Sequence, residues 1–526
     1  MSFSTNHLTQ RRYMVGLLVF IVACWVVITP PGAGPDEPTH LVRSAGLIRG
    51  DITGSPSDRP DGARNFVVPS WLGEADPRCY AFSAEPASCR PRNVGDDSPQ
   101  TRPSDAGYYP IWGHLLPGLG TFATTATVGI PLSRLLSALL PIILIAWALA
   151  IGRRKGILTT SAICLAMTPM VWSTLSQVQP SSLVIAGGIA LFVASLDLNA
   201  AASRWLFVAA FAALILPRRD GMIWAATALA ILVVYNDWTT KQFVKIFSTA
   251  QQATLAVAAA LAVGWAVFAP GPLPILIALA PLLYIAVVAG RRFLTISPLP
   301  ILGSITAIVI PLAVLTWIVV SLRPGAITAQ AVANTISKTG EHLGQAIGVL
   351  GWVDTPIPTT MLFLWLIAFG VLIGHHVSHG RWLELAICTA IVATTTALSW
   401  MIELVQGGSG GNYWQGRYSL PLLVGAPILL CARAETTQQA TRVGRVILVA
   451  MFVVANGAII GATRRWAVGL NGTMVPWHWN TYGTLVDPMV VLVVHLAATA
   501  VLYQSLARPP DEPACPPQSD VEQAVV

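Results

Sequence analysis

Two adjacent acids, Asp36 and Glu37, follow the first apolar run of the chain in the segment 35–40, which reads PDEPTH. Two carboxylates this close repel each other and lose water at a membrane surface, so one acid of such a pair can have a raised pKa. A carboxylate in this position can remove the proton from an attacking hydroxyl group. The same residues are also typical of a solvated loop that begins a helix, with Asp36 as the N-cap and Pro38 in the first turn. The segment is therefore a candidate catalytic site with a structural alternative.

A late arginine, Arg417, stands where the segment 412–418, NYWQGRY, leads into an apolar run. An arginine at a helix N-terminus on the membrane surface can bind phosphate, because its planar guanidinium matches phosphate oxygens and the helix dipole favours an anion. The alternative is an interfacial anchor made of arginine and aromatic side chains. The sequence leaves both interpretations open.

A third candidate is the segment 351–358, GWVDTPIP, which leads from a polar stretch into an apolar run. Trp352 is typical of an interface anchor, and Asp354 before Thr355 is typical of a helix start. Asp354 would bind a ligand only if its carboxylate points into a cavity. Tyr109 is a weaker candidate of the same kind, because it also fits an aromatic belt at the membrane surface.

Seven cysteines occur without a CxxC pair, and two of them, Cys79 and Cys89, lie in a long polar segment. If this segment is outside the cytoplasm, the short spacing favours a disulfide between them. His375 and His379 stand four residues apart, but no acid follows closely in the sequence, so the pair does not predict a metal site. The residues themselves therefore predict one disulfide and no metal centre.

The elements that position these residues are transmembrane helices. Of the 526 residues, 54% are hydrophobic and only 10% are charged, whereas soluble proteins have roughly 25% charged residues. Continuous apolar runs of about 20 residues indicate membrane-spanning helices and exclude the alternating pattern of a transmembrane barrel. The net charge of +7 fits basic cytoplasmic loops, so it does not indicate nucleic-acid binding. We predict an all-α polytopic membrane protein.

The apolar runs predict about 14 transmembrane helices. They are 13–29, 132–151, 157–174, 181–197, 203–217, 221–235, 252–268, 272–289, 299–320, 359–375, 382–404, 418–432, 443–463 and 485–506. The short pair 203–217 and 221–235 also fits one hairpin that dips into the bilayer. The first run is retained, because two prolines follow it in place of a small-residue cleavage site.

The basic residues predict the orientation, since lysine and arginine are about twice as frequent on one side as on the other. Both termini are then cytoplasmic, in the inner membrane of a bacterium. The opposite side carries four segments: a long first loop at 30–118, a loop at 321–358 with an amphipathic helix near 328–349, a glycine-rich stretch at 406–416, and 464–485. Arg218 and Arg219 depart from the charge rule. Residues 1–506 form the transmembrane domain, and 507–526 is predicted to be a disordered cytoplasmic tail.

At these residues the sequence resembles domain-of-unknown-function family 2142, bacterial polytopic proteins grouped with the GT-C membrane glycosyltransferases. The matching residues are Pro35-Asp36-Glu37-Pro38 with His40, Tyr109-Pro110, the Arg134 region, Gly351-Trp352 with Asp354-Thr355 and Pro358, and Gln415-Gly416-Arg417-Tyr418 with Pro421. An Asn-Pro-Asp that the family tends to show near the fourth helix is here Gln179-Pro180-Ser181, so that site receives no role.

The resemblance implies a GT-C-like fold and a glycosyltransferase that uses a polyprenyl-phosphate sugar. Asp36 would be the catalytic base, and Glu37 would assist it or bind the acceptor or a divalent cation. Arg417 would bind the lipid phosphate. The other residues that the resemblance places at the substrate are His40, Tyr109, Trp352, Asp354, Gln415 and Tyr418.

The location of the motifs agrees with this chemistry, since all of them fall on the predicted outer side, where nucleotide sugars are absent. We therefore expect transfer of a sugar from the lipid to a glycan, glycolipid or glycoprotein of the cell envelope. The rival hypothesis is a transporter or lipid flippase, which is expected to show sequence repeats and broken helices; no repeat is visible. A third hypothesis, a structural scaffold for envelope enzymes, predicts that Asp36 and Arg417 lie far apart. We predict that Asp36, Asp354 and Arg417 line one outward-facing cavity.

Overall fold

The computed structural model of the chain describes residues 5–59, 62–90, 95–236, 240–268, 328–406, 414–431, 437–479 and 481–508. The predicted spans 272–289 and 299–320 lie outside the described residues. So does the predicted disordered tail, apart from its first two positions.

Helices dominate the described residues, because apolar segments in a bilayer must satisfy their backbone hydrogen bonds internally. Up to residue 268 they are α1 (Thr5–Ile28), α2 (Glu37–Ile48), α3 (Leu115–Gly120), α4 (Ala126–Lys155), α5 (Ile157–Ala166), α6 (Pro169–Leu175), α7 (Pro180–Ser195), α8 (Ala201–Ile215), α9 (Gly221–Asn236), α10 (Thr240–Ile246) and α11 (Thr249–Phe268). From residue 328 they are α12 (Ala329–Ser337), α13 (Thr339–Gly348), α14 (Thr359–His379), α15 (Trp382–Gln406), α16 (Leu420–Leu423), α17 (Gly425–Leu430), α18 (Gln438–Val468) and α19 (Pro488–Ala507).

Six helices of the described part of the chain are long and apolar enough to cross a membrane: α4, α11, α14, α15, α18 and α19. The pair α5 and α6 makes a seventh if it is counted as one bent span. Shorter apolar helices include α7, α8, α9 and the stretch Gly416–Leu430. The chain is therefore mostly helical with several candidate spans, whereas the number of 14 remains a prediction.

The predicted helix 157–174 is broken, and its halves α5 and α6 meet at 67°. Pro169 supplies no backbone N–H and disfavours a helical conformation at Thr168. Thr168 then caps α6, since its hydroxyl accepts a hydrogen bond from Val171 N. The same hydroxyl donates to Ala346 O of α13 at 3.0 Å, so the break is filled by protein.

The first loop contains a small antiparallel sheet, which the all-α prediction did not include. Its strands are β1 (Ser55–Pro56), β2 (Arg64–Pro69) and β3 (Pro99–Ser104), in that spatial order. Strand β2 alternates so that Phe66 and Val68 are buried against α2, in a core separate from that of the helix bundle. This cluster also includes Ala126 and Ile130 of α4, so it packs the loop against the helix bundle.

The predicted amphipathic helix near 328–349 is present as two shorter helices, α12 and α13, with a break at Lys338. It leads into a hairpin of β4 (Val349–Leu350) and β5 (Thr355–Pro356). This hairpin carries Trp352 and Asp354 at its turn, where Gly351 and Val353 both have positive φ.

Segments that the sequence places on one side of the membrane are joined by hydrogen bonds. Trp352 of the hairpin donates to Gly32 O in the first loop at 2.9 Å. Arg465 at the end of α18 donates to Tyr80 O of the same loop at 2.8 Å, and Tyr482 donates to Ile28 O at the end of α1 at 2.6 Å. The candidate residues therefore lie at one end of the helix bundle, and which side of the membrane this end faces stays a prediction.

Candidate functional site

Asp36 stands between α1 and α2, in the left-handed backbone region with φ of 63°. It occupies the N-cap position of α2, as the structural alternative predicts, but its carboxylate makes no capping hydrogen bond to the helix. The side chain is 42% exposed. A non-glycine residue at positive φ carries a conformational cost of order 1 kcal/mol or more, and here it leaves the carboxylate free to turn away from its own helix.

Arg417 reaches Asp36 from a position 381 residues later in the chain. Its Nη2 donates to Asp36 Oδ2 at 2.7 Å and to the hydroxyl of Tyr418 at 3.0 Å. The Tyr418 hydroxyl is in turn 3.4 Å from Asp36 Oδ2. The arginine side chain is only 4% exposed. The structure thus brings together Asp36, Arg417 and Tyr418, three of the residues selected from the sequence.

The segment before Arg417 is held by close packing against α13. Gly416 N donates to Gln345 Oε1 at 2.9 Å, and a Cβ on Gly416 would lie 2.1 Å from His342 O. Only glycine allows this approach. Gln415 is half-buried, and its Oε1 is a buried acceptor with no partner in the described part of the chain. Within those residues the Gln415 side chain forms no hydrogen bond with the Asp36–Arg417 pair.

A second arginine, Arg218, also belongs to the site and was not selected from the sequence. Its guanidinium lies 5.6 Å from the ring centre of Tyr109 and 5.0 Å from that of Tyr418. Arg417 lies over the same Tyr418 ring at 4.8 Å. Asp220 pairs with Arg218 at 2.8 Å. The sequence signal was present, because Arg218 departs from the positive-inside rule, and a charge on the wrong side can mark a functional site.

His40 is one turn into α2 and is buried beside the same residues. Its Nδ1 lies 3.1 Å from His114 Nε2, and its ring makes an edge contact with Tyr109 at 5.2 Å between centres. Burial, reinforced by the positive charges of Arg218 and Arg417, lowers the pKa of His40 to about 3. His40 is therefore a neutral polar group next to the charged pair.

Glu37 faces the opposite way and is fully buried. Arg134 forms two bonds to it, from Nε to Oε1 and from Nη2 to Oε2, both at 2.7 Å. Val178 N and Gly32 N each donate to one oxygen at 3.1 Å. A carboxylate has about four acceptor positions, so Glu37 has none left for a substrate or a cation. These bonds give Glu37 a structural role in joining the segments around it, and the catalytic role predicted for it stays a prediction.

Arg134 is saturated in the same way. Its remaining N–H groups donate to the carbonyl oxygens of Val26, Thr29 and Pro30 at the end of α1. All five donors of the guanidinium are thus used. The Glu37–Arg134 pair joins α1, α2 and α4 as a closed buried unit, whereas the neighbouring Asp36–Arg417 pair is open on the acidic side.

Asp354 is bonded to groups other than Asp36 and Arg417, and the cavity predicted to be common to the three stays a prediction. Its Oδ2 accepts from Phe82 N at 2.9 Å and lies 3.6 Å from Arg465 Nη2. Its Oδ1 accepts from Trp352 N and from the Thr355 hydroxyl. These contacts tie the hairpin to the first loop and to α18. Asp354 and Trp352 therefore connect segments, and their predicted contact with a substrate stays a prediction.

Within the described residues there is no cluster of three or more His, Cys, Asp or Glu side chains arranged to hold a metal ion. Asp36 and Glu37 are bonded to different arginines and do not share a site. The divalent cation that the resemblance allows therefore stays a prediction.

Cys79 and Cys89 form a disulfide, with Cα atoms 6.0 Å apart. The bridge closes a short turn in the first loop that includes Phe82, whose N–H donates to Asp354.

Replacing both cysteines, Cys79 and Cys89, by serine is expected to lower the free energy of unfolding by about 2–3 kcal/mol, measured by denaturant unfolding. A reducing agent should produce a similar loss in the wild type and none in the double variant. Two free thiols in a non-reduced digest would contradict the bridge.

Comparison with known families gives one finding. The family described as "Predicted membrane protein (DUF2142)" matches residues 18–426, most of the chain. The matched stretch includes Asp36, Glu37, Arg134, Arg218 and Arg417. Comparisons with curated proteins and with solved structures found no match.

Proposed function

Because the chain belongs to the DUF2142 family of predicted membrane proteins, and this family description names no activity, we propose a function from the site itself. The protein transfers a sugar from a polyprenyl phosphate to a hydroxyl of a cell-envelope acceptor on the outer face of the membrane. The observation that carries this proposal is the contact of Asp36, a partly exposed carboxylate, with the buried Arg417 beside Tyr418. One group can accept a proton and the other can bind a phosphate.

The reaction needs these two functions at once. Asp36 accepts the proton of the acceptor hydroxyl while the hydroxyl oxygen forms a bond to the anomeric carbon. The bond from that carbon to the phosphate oxygen breaks, and the departing polyprenyl phosphate takes the electron pair. Arg417 stabilises the charge on this phosphate. Attack opposite the leaving group inverts the configuration at the anomeric carbon.

Arg417 has donors to spare for a phosphate. Only its Nη2 is bonded to side chains of the site, and its Nε is a buried donor without a partner among the described residues. A buried unpaired donor is costly, and a phosphate oxygen is a strong acceptor for a guanidinium. Arg134, in contrast, has no donor left and cannot take this role.

The location of the site favours a surface reaction. Asp36 lies just after α1 ends at Ile28, and Arg417 lies at the start of the apolar stretch Gly416–Leu430. Both residues are thus at helix ends and not in the middle of a span. A lipid whose tail lies in the bilayer would present its phosphate at this level.

The transporter or flippase hypothesis has one observation in its favour, the broken helix pair α5 and α6. The break is occupied by a hydrogen bond from Thr168 to Ala346, and the residues around it are buried. The charged residues of the candidate site are on other segments. The transferase therefore remains the proposal, and lipid scrambling is the outcome that would replace it.

The direct test is a transfer assay with purified protein in liposomes that contain envelope lipids as acceptors. Short-chain polyprenyl phosphates carrying different sugars are supplied in turn, and mass spectrometry follows the release of free polyprenyl phosphate. Release that requires both the acceptor lipids and wild-type protein supports transfer. Movement of the lipid between leaflets without release would support the flippase.

Replacing Arg417 by alanine is expected to weaken both donor binding and turnover, because a phosphate is bound in the ground state and in the transition state. Loss of a hydrogen bond to a charged group raises the dissociation constant by about 10–100-fold. Calorimetric titration with a short-chain polyprenyl phosphate measures this effect. Arg78→Ala is the matched control, since Arg78 carries the same charge in the first loop but is 89% exposed. Wild-type affinity in Arg417→Ala would remove Arg417 from the phosphate site.

A further inference from the structure

A chain of hydrogen bonds runs from the candidate site into the first loop through two buried histidines. His40 Nδ1 lies 3.1 Å from His114 Nε2, and His114 Nδ1 lies 3.1 Å from Pro110 O. His40 is 4% exposed and His114 is fully buried. His114 was not among the residues selected from the sequence.

The carbonyl of Pro110 determines which ring nitrogens of the two histidines carry a hydrogen. Pro110 O can only accept, so His114 Nδ1 carries a hydrogen and donates it. In a neutral imidazole the other nitrogen then accepts, which makes His114 Nε2 the acceptor and His40 Nδ1 the donor. Burial keeps both rings neutral by lowering the pKa of His40 and that of His114. His40 Nε2 is therefore left without a hydrogen and with its lone pair available.

Nothing in the described part of the chain donates a hydrogen bond to His40 Nε2. The ring lies against Tyr109 and close to the positive charges of Arg218 and Arg417. An ammonium ligand would be repelled by these arginines, and a phosphate or carboxylate oxygen has no proton to donate. A hydroxyl group is the polar ligand that fits: it is uncharged and donates to the lone pair.

We propose that His40 binds a sugar hydroxyl through Nε2, and that His114 is a positioning residue that keeps His40 in the accepting tautomer. This inference rests on the proposed sugar transfer and adds a specific contact to it. Asp36 and His40 then offer two acceptors one helical turn apart, and the Tyr109 ring makes an edge contact with His40. Paired acceptors beside aromatic rings are suited to a polyhydroxyl ligand whose ring carbons are apolar.

The tautomer is measured first, without any substrate, by ¹⁵N NMR of protein labelled at histidine. The His40 signals are assigned by their loss in His40→Phe. We expect an unprotonated Nε2 and a protonated Nδ1 in wild-type His40 at neutral pH, and a mixture of tautomers in His114→Phe. His478→Phe, which removes an exposed histidine in the segment 464–485, should leave the His40 signals unchanged. A protonated Nε2 in wild-type His40 would overturn this inference and leave the proposed function standing.

The ligand is tested with two probes, a short-chain polyprenyl phosphate and the same lipid carrying the sugar that the transfer assay selects. For His40→Phe we expect a loss of affinity of about 5–10-fold for the glycosylated lipid, the size of one neutral hydrogen bond, and wild-type affinity for the bare lipid. If the donor affinity is unchanged and KM for the acceptor rises instead, the hydroxyl belongs to the acceptor sugar.

Two further outcomes separate the inference from the proposed function. Unchanged donor affinity together with an unchanged acceptor KM in His40→Phe would overturn the hydroxyl contact alone. Failure of wild-type protein to bind either lipid would overturn the proposed function, and with it the sugar assigned to His40.

Discussion

Replacing Asp36 by asparagine is expected to lower the rate of sugar transfer by about 10²–10⁴-fold. The amide keeps the volume of the carboxylate, and its oxygen can still accept the bond from Arg417 Nη2, which is 2.7 Å long in the wild type. It cannot take up the proton of an attacking hydroxyl. The measurement is the initial rate of polyprenyl phosphate release in proteoliposomes at saturating donor.

The same variant should bind the lipid phosphate nearly as well as the wild type, since Arg417 is retained. This separates Asp36→Asn from Arg417→Ala, in which binding and turnover fall together. Asp97→Asn is the matched control, because Asp97 is an exposed acid of the same loop. Wild-type transfer by purified Asp36→Asn would end the assignment of Asp36 as the base. If Asp36→Asn and Arg417→Ala both retained transfer but altered lipid scrambling, a flippase would be the better description.

Much of the helical framework could be predicted from the sequence, because continuous apolar runs have few other folds available in a bilayer. The predicted span 181–197 is α7, Pro180–Ser195, and the predicted span 252–268 is α11, Thr249–Phe268. Pro180 occupies the first turn of α7, where proline is favoured. The break between α5 and α6 was missed, because the apolar pattern continues through Thr168 and Pro169 while the backbone does not.

The structure of the first loop could not be predicted in the same way. Strand β2 is held by pairing with β3, which follows much later in the chain, in a register from Arg64–Ser104 to Pro69–Pro99. Phe66 and Val68 of this strand point inward and are buried because α2 packs against them. Non-local pairing of this kind leaves little trace in a single sequence.

For the candidate site, the sequence predicted that the segments of Asp36 and Arg417 meet, but not which oxygen each side chain contacts. The charge distribution placed Asp36 and Arg417 on one side, and the structure joins them. That Glu37 turns the other way depends on the positive φ of Asp36 and on Arg134, a cation almost a hundred residues later. Two neighbouring acids looked alike in the sequence, and their environments make them different.

The buried pair of Glu37 and Arg134 predicts the largest effect on stability. Replacing Arg134 by methionine leaves a carboxylate that is fully buried with no cation, which costs about 3–5 kcal/mol. It also removes the donors to the carbonyl oxygens of Thr29 and Pro30. The measurement is the free energy of unfolding in detergent micelles, followed by tryptophan fluorescence. Arg78→Met, which breaks an exposed pair with Asp76, should leave the free energy of unfolding almost unchanged.

The double variant Glu37→Met with Arg134→Met distinguishes a buried ion pair from simple loss of packing. Removing both charges leaves no uncompensated carboxylate, so its stability loss should be smaller than the sum of the two single losses. Glu37→Gln should then destabilise the protein while each folded molecule transfers sugar much faster than Asp36→Asn. If Glu37→Gln instead abolished transfer at unchanged stability, the roles of the two acids would be exchanged, because a saturated carboxylate that only joins helices cannot act on the reaction without acting on the fold.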